Sequence, residues 1–277
     1  MTDSTAYIPK QALGDLNIPV IPPWVFWGDE RFRDGVDIAP TDFYRRMQES
    51  KDFPTTSQPS LGEFIDFFQK IAGENDADAI VGVFVTSKTS GTFASACMAQ
   101  EQLPELAIRV VDSFSTLMAQ GYTALAAARA AADGKSLDQV VAAAEEMRDR
   151  AHLIFVVDTL EYLHRGGRIG GAKWLVGTAL KIKPLLHMAN GTVAPLVQVC
   201  TKRKAIARML DVVEERLDGK QMAQASVIDA NNSREADAIA AQVKERFGIA
   251  TVSRTAVSPV IGAHAGPGTV AIAFYAE

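Results

Sequence analysis

The most restrictive feature of the sequence is a near-continuous apolar run over residues 79–86, which reads Ala-Ile-Val-Gly-Val-Phe-Val-Thr. An unbroken run of this length is typical of a strand buried on both faces of a parallel sheet. A helix is predicted to follow over 92–102, then a strand at 108–111 and an alanine-rich helix over 116–132. The repeated order of strand, helix and strand predicts a parallel sheet covered by helices in the first half of the chain.

The second half of the sequence has shorter and more varied elements. Two strand-like segments, 182–188 and 192–199, are joined through Asn190-Gly191, a strong hairpin-turn pattern. Further helices and strands alternate up to residue 275. We therefore predict a two-lobed α/β protein whose lobes meet along a cleft. The N-terminal α/β domain spans residues 1–157, ends with a strand at 153–157 and holds the parallel sheet. The C-terminal domain, residues 158–277, holds a mixed sheet.

Composition narrows the function classes. The chain has 28 Lys and Arg against 33 Asp and Glu, a net charge of −5 that provides no general attraction for nucleic acid or anionic membranes. A bound anion therefore needs a local site. The two cysteines, Cys97 and Cys200, form no CxxC pair and are predicted to be buried free thiols. Without a long apolar segment or a basic leader, the chain is predicted to be cytoplasmic.

Two hydroxyl-rich segments are candidate anion sites. Residues 55–60 read Thr-Thr-Ser-Gln-Pro-Ser directly before a predicted helix, and Ser60 with Glu63 has the spacing of a capping box. Residues 86–92 read Thr-Ser-Lys-Thr-Ser-Gly-Thr at the carboxyl end of the apolar strand, where parallel sheets bind ligands. Helix amides at that position favour an anion. Ordinary helix capping explains each segment equally well when it is taken alone.

Two glycine-rich segments carry basic side chains. Gly166 suits a left-handed helix end, and Arg165 and Arg168 around it suit either an anion, a partner or plain solvent exposure. His264 lies within residues 261–268, which we interpret as a connection between strands. A histidine in such a connection either projects into a cleft, where it donates to an anion, or is simply exposed.

Several catalytic and cofactor motifs are missing from the sequence. Gly134-Lys135-Ser136 resembles the end of a phosphate-binding P-loop, but residue 129 is Arg where the first glycine belongs. There is no GxGxxG after a strand, no GxSxG, and no zinc spacing among the histidines and cysteines. A serine hydrolase or acyltransferase that uses Ser90, His264 and Asp112 stays open, because triads are defined by geometry rather than by sequence order.

Taken together, these segments resemble the DegV family, whose members bind long-chain fatty acids. The resemblance covers the whole chain in order. The matching pieces are Thr2-Asp3-Ser4-Thr5, Asp34-Gly35-Val36-Asp37-Ile38, Thr56-Ser57-Gln58-Pro59-Ser60, Ser90-Gly91-Thr92-Phe93, Val111-Asp112-Ser113, residues 158–163, Gly166-Gly167-Arg168-Ile169, Ile182-Lys183-Pro184 and residues 262–268.

The resemblance implies a fatty-acid-binding protein without its own catalysis, metal or cofactor. It would present the carboxylate to a separate ATP-binding kinase subunit, which forms an acyl phosphate. A regulator gated by its bound fatty acid is a third possibility, with little support in the sequence. The residues expected to hold the carboxylate are Thr56, Ser57, Ser90, Gly91, Thr92 and His264, and those expected to face the partner are Arg168, Lys202 and Arg203.

The sequence departs from the family pattern at three places. Thr2 follows Met1 directly, where family members usually have a short apolar strand first. Cys200 stands where they often carry Arg. Leu117 and Ala119 stand where small polar or Gly residues are common, which predicts a differently shaped acyl tunnel.

Overall fold

The computed structural model describes residues 1–175 and 183–277. In these ranges the strands are β1 (Thr2–Asp3), β2 (Val20–Ile21), β3 (Trp24–Trp27), β4 (Glu30–Arg33), β5 (Thr55–Ser57), β6 (Ala79–Phe84), β7 (Ala107–Asp112), β8 (His152–Val156), β9 (Lys183–Ala189), β10 (Thr192–Val199), β11 (Met222–Asp229), β12 (Val252–Ala256) and β13 (Val270–Ala276). The sequence also predicts a short helix over 172–180, which lies partly outside the described residues; Gly170–Leu175 form a 3₁₀ helix.

The α-helices are α1 (Lys10–Leu13), α2 (Pro40–Glu49), α3 (Leu61–Asn75), α4 (Thr92–Glu101), α5 (Leu117–Ala132), α6 (Leu137–Arg150), α7 (Glu161–Arg165), α8 (Lys202–Leu217), α9 (Ser233–Phe247) and α10 (Pro259–Ala265). The capping box predicted at Ser60 and Glu63 is confirmed. Helix α2 begins with Pro40, whose fixed φ suits the first helical position, so Thr41, which a hydroxyl-cap pattern would place before the helix, lies inside it.

A four-stranded parallel sheet in the order β2-β1-β6-β7 confirms the predicted architecture of the first half. Thr2–Asp3 form a short strand inside this sheet, pairing with β2 on one side and with Val83 of β6 on the other. The sequence departure at Thr2 therefore does not remove the strand. Phe64 and Phe84, both fully buried, meet edge to face beneath the sheet with ring centroids 5.3 Å apart.

A six-stranded mixed sheet in the order β10-β9-β8-β13-β11-β12 confirms the architecture predicted for the second half. Strand β8, predicted to end the N-terminal domain, instead lies in this sheet, antiparallel to β9 and β13. An apolar run shows that a strand is buried on both faces but not which sheet buries it. The domain boundary at residue 157 stays a prediction.

A third sheet was not predicted. It is antiparallel, in the order β4-β3-β5, and its strand β5 is formed by residues 55–57 of the first hydroxyl-rich segment. In register, Thr56 lies opposite Val25. This pairing fixes the backbone of one hydroxyl-rich segment.

Helix α5 joins the two larger sheets. Residues from both halves, among them Met118, Leu125, Leu153 and Ala273, form one buried apolar cluster. The Tyr122 hydroxyl on α5 lies 2.7 Å from the Ser226 hydroxyl on β11. The core is thus continuous across the two halves.

The cysteines and the helix lengths bear on two further predictions. Both cysteines are free, as predicted, but Cys200 is exposed and Cys97 only half-buried, so the expectation of two buried thiols is wrong. Among the helices of the described ranges, none has the length and apolar character needed to cross a bilayer.

Candidate functional site

A cleft opens between the carboxyl ends of β1 and β6 and the face of the six-stranded sheet that carries Leu153 and Phe155. Most of its wall is apolar, supplied by Pro23, Val85, Leu117, Leu153, Phe155, Leu163, Met188, Val193, Val257, Val260, Ile261 and Ala265. Its polar residues are Thr5, Thr56, Ser57, Gln58, Thr89, Ser90, Thr116, Arg168, His264 and Thr269. An apolar cleft with a few polar groups is the usual form of a small-molecule site.

Thr56 and His264 meet in this cleft, 208 residues apart in sequence. The Thr56 hydroxyl oxygen lies 2.8 Å from His264 Nε2. Strand β5 holds Thr56, and helix α10 holds His264 in its last turn. Residues 261–268 lie between β12 and β13, as predicted, but this connection includes α10, a short helix that Ser258 caps and Pro259 starts and that was not predicted.

His264 is held in its neutral form. Burial, and then the nearby charge of Arg168, lower its pKa to about 4. Its Nδ1 is buried and, within the described residues, has no hydrogen-bond partner. With Nε2 protonated, the neutral imidazole donates to the Thr56 hydroxyl oxygen, which leaves the hydroxyl hydrogen of Thr56 free to donate into the cleft.

Gly166 allows His264 to sit where it does. A Cβ atom at this position would lie 2.1 Å from His264 Nδ1, so any larger residue would displace the ring. The left-handed conformation predicted for Gly166 is found at Gly167 instead, with φ of 70°. The glycine at 166 serves close packing of α7 on α10.

The second hydroxyl-rich segment places Ser90 on the cleft wall. Its hydroxyl lies 2.9 Å from that of Thr92, which is fully buried, and accepts a 3.3 Å bond from the Thr92 amide. Gly91 is the N-cap of α4 and packs against Gln58, whose Nε2 would be 2.8 Å from a Cβ there. Of the predicted residues, Thr56, Ser57, Ser90 and His264 line the cleft, whereas Gly91 and Thr92 lie behind Ser90.

Arg168 also lines the cleft, although we expected it to face a partner. Its Nε donates to the Thr89 carbonyl at 3.0 Å and its Nη1 to the Gly166 carbonyl at 2.6 Å. These bonds tie the loop that carries Ser90 to the segment beside His264. No spacing in the sequence indicated this role, because it depends on how the two halves meet.

The other two residues expected to face a partner differ from each other. Lys202 is largely buried; it donates to the Gly268 carbonyl at 2.6 Å and pairs with Asp158 at 3.2 Å and Glu235 at 2.8 Å. Its role toward a partner stays a prediction. Arg203 is exposed, and its role stays a prediction.

The residues considered for a hydrolase are not assembled as a triad in the described parts of the chain. His264 Nε2 contacts Thr56, and its Nδ1 has no acidic neighbour within hydrogen-bond distance. Asp112 instead accepts from the backbone amides of Ser87 and Phe114. A triad needs the histidine bonded to both nucleophile and acid, so this geometry does not favour hydrolysis.

The start of α5 is strained where it borders the cleft. Leu117, the first helical residue, has a φ of 51°, and Thr116 extends before it without making a side-chain cap bond. The Thr116 hydroxyl is buried and, in the described structure, without a hydrogen-bond partner. A left-handed leucine costs roughly 1–3 kcal/mol, and such strain clusters at binding sites.

The comparisons with known proteins agree with the fold and the cleft. A family model described as "Uncharacterised protein, DegV family" matches residues 1–277. The chain belongs to the DegV family. A DegV domain-containing protein from Streptomyces coelicolor is 38% identical over 98% of this chain and 96% of its own length.

Two solved DegV structures are also similar over nearly their full lengths. One is a DegV family protein from Thermus thermophilus, described by its fatty acid binding, with a TM-score of 0.91, 30% identity, and coverage of 100% of this chain and 98% of that one. The other is DegV from Bacillus subtilis, described as a fatty acid binding protein, with a TM-score of 0.91, 33% identity and the same coverage. Fatty acid binding is therefore an attribute of DegV relatives of this chain.

Proposed function

We propose that this protein binds one long-chain fatty acid in the cleft, with its carboxylate beside Thr56, Ser90 and His264. The observation that carries the proposal is the Thr56–His264 contact in the cleft, whose wall is otherwise mainly apolar. The fatty acid binding of its DegV relatives supports the same ligand class.

Neutral donors suit a carboxylate in this place. A buried ion pair needs nearly ideal geometry to offset the loss of hydration, whereas the hydroxyls and the neutral imidazole add no further charge to that of Arg168 on the cleft wall. Each hydrogen bond to the charged group contributes about 1.5–3 kcal/mol. The apolar wall supplies the larger part of the affinity, at about 0.8 kcal/mol for each buried methylene.

We further propose that the protein presents the carboxylate to a separate ATP-binding kinase subunit in the cytosol and has no catalysis of its own. Supporting this division, the P-loop-like residues Gly134-Lys135-Ser136 form the turn between α5 and α6, where Ser136 caps α6. Arg203, exposed on α8, is the residue we propose to face that subunit.

Lipid extraction and native mass spectrometry of the purified protein test the first proposal. We expect a bound C14–C20 fatty acid, and a rise in thermal stability of the delipidated protein on adding hexadecanoate. Thr56→Ala and Ser90→Ala should each weaken binding about tenfold, the loss of one charge-assisted hydrogen bond. Thr41→Ala, at an exposed position on α2, is the matched control. Equal affinity of all four proteins would contradict the carboxylate assignment.

Hydroxylamine trapping tests the second proposal. The fatty-acid-loaded protein with ATP and Mg²⁺ should form no acyl hydroxamate until a lysate fraction with a kinase subunit is added. Hydroxamate formation by the purified protein alone would contradict the division of labour. Labelling of Ser90 by a fluorophosphonate, lost in Ser90→Ala, would support the hydrolase instead.

A further inference from the structure

Leu117 combines three properties that rarely occur together. It lines the cleft, it is only 4% exposed, and its backbone has a φ of 51°, a region that glycine and asparagine occupy far more readily than leucine. Strain of this kind persists only where the surrounding structure holds it in place.

The neighbouring residue shows that the strain is not offset by local bonding. A threonine before a helix normally accepts a hydrogen bond from an amide of the first turn, but Thr116 makes no such bond. Its hydroxyl is buried and, among the described residues, unpartnered. The helix start therefore lacks both the usual side-chain cap, at Thr116, and the usual right-handed backbone, at Leu117, and both of these residues line the cleft.

Leu117 is part of the apolar packing around the cleft. Its side chain belongs to the same buried apolar cluster as Leu153, Phe155 and Val193, which line the cleft from the six-stranded sheet. The isobutyl group thus occupies space on the apolar wall that an acyl chain would otherwise fill. Interiors are close-packed, so a side chain there excludes its own volume of ligand.

We propose that Leu117 is a specificity-determining residue that sets an upper limit on the length of the acyl chain in the cleft. This inference rests on the proposed fatty acid binding. Truncation to alanine removes three carbons, which frees space for up to about three methylene groups of ligand. Each additional buried methylene raises affinity about fourfold.

Competition binding with saturated fatty acids of 14, 16, 18 and 20 carbons measures the effect. The readout is the ratio of affinities for successive chain lengths, which a general loss of stability does not change. In Leu117→Ala, the length at which affinity stops rising should increase by about two carbons, with a gain of about 15-fold for the longer chain over the shorter.

The matched control is Leu125→Ala. Leu125 lies two turns further along α5, is fully buried and belongs to the same apolar cluster, but is not among the residues that line the cleft. The Leu125→Ala variant should lose stability as Leu117→Ala does, but keep the wild-type ratios of affinities for successive chain lengths. Leu117→Phe keeps the position filled and should shift the preference toward shorter chains, which tests the inference even if the alanine variant does not fold.

The outcomes separate this inference from the proposed function. A wild-type protein that binds none of the four acids overturns the proposed function and this inference with it. Wild-type binding with ratios unchanged in both Leu117 variants overturns only the role of Leu117. The same change of ratio in Leu117→Ala and Leu125→Ala would also overturn it, because the effect would then come from the core as a whole.

Discussion

Replacing His264 with glutamine should remove a defined part of the pH dependence of stability. Burial, and then Arg168, lower the folded-state pKa of His264 to about 4, against an ordinary value of 6.5 when unfolded. The unfolded chain therefore binds more protons between these values, and stability is lost as the pH falls below 6.5. Glutamine keeps an amide that can bond to the Thr56 hydroxyl but does not titrate.

The magnitude follows from the two pKa values. At pH 7.5 His264 is neutral in both the folded and the unfolded state, so its titration hardly changes the free energy of unfolding. At pH 5.0 the unfolded state is mostly protonated at this residue while the folded state is not, which lowers the free energy of unfolding by about 2 kcal/mol. The full difference, reached below pH 4, is about 3 kcal/mol.

Urea unfolding of the delipidated protein, followed by circular dichroism at pH 7.5 and 5.0, measures this contribution of His264 to the free energy of unfolding. Other groups titrate as well, so the useful quantity is the loss on acidification in the wild type minus the loss in His264→Gln. We expect about 2 kcal/mol. His164→Gln, at an exposed position on α7, should lose as much as the wild type. An equal loss in the wild type and His264→Gln would refute the buried, neutral state of His264.

Two further predictions concern residues around α10. Asp34, buried and bonded to Ser4 and to the Val260 amide, has its pKa raised to about 6, mainly by burial. The folded state there binds more protons than the unfolded one, so Asp34→Asn should remove about 1 kcal/mol of stability that the wild type gains between pH 8 and pH 5, measured by urea unfolding. Gly266→Ala should lower the free energy of unfolding by 2 kcal/mol or more, since φ is 78° and a Cβ would lie 2.3 Å from a Tyr162 ring carbon. Gly248→Ala, with φ of 64° in open space, should cost only about 1 kcal/mol, and an equal cost at both glycines would contradict the packing argument.

Much of the fold could be predicted from local pattern. The apolar run of β6, the capping box at Ser60 and the Asn190-Gly191 hairpin are confirmed, because each depends on residues within a few positions of one another. The order of strands and helices in the first half likewise identified a parallel sheet. The DegV resemblance, carried by motifs along the whole chain, is confirmed by the family match.

The residues of the candidate site were predicted less evenly. The hydroxyl-rich segments pointed to Thr56 and Ser90, because hydroxyls at a strand end or a helix start are visible in sequence. The sequence left Arg168 open between an anion, a partner and solvent, and it did not indicate the internal contacts of Lys202. The direction in which a long basic side chain points depends on which carbonyls and carboxylates the fold brings near it.

The sequence by itself determined most of the elements, the fold class and two polar segments of the cleft. The tertiary structure decided which sheet receives β8, that α10 carries His264 to Thr56, and that Leu117 is strained against the cleft wall. The physical reason is the distance along the sequence over which each kind of interaction acts. Periodicity and capping act over a few residues, whereas a contact such as Thr56–His264 exists only after packing has joined segments 208 residues apart.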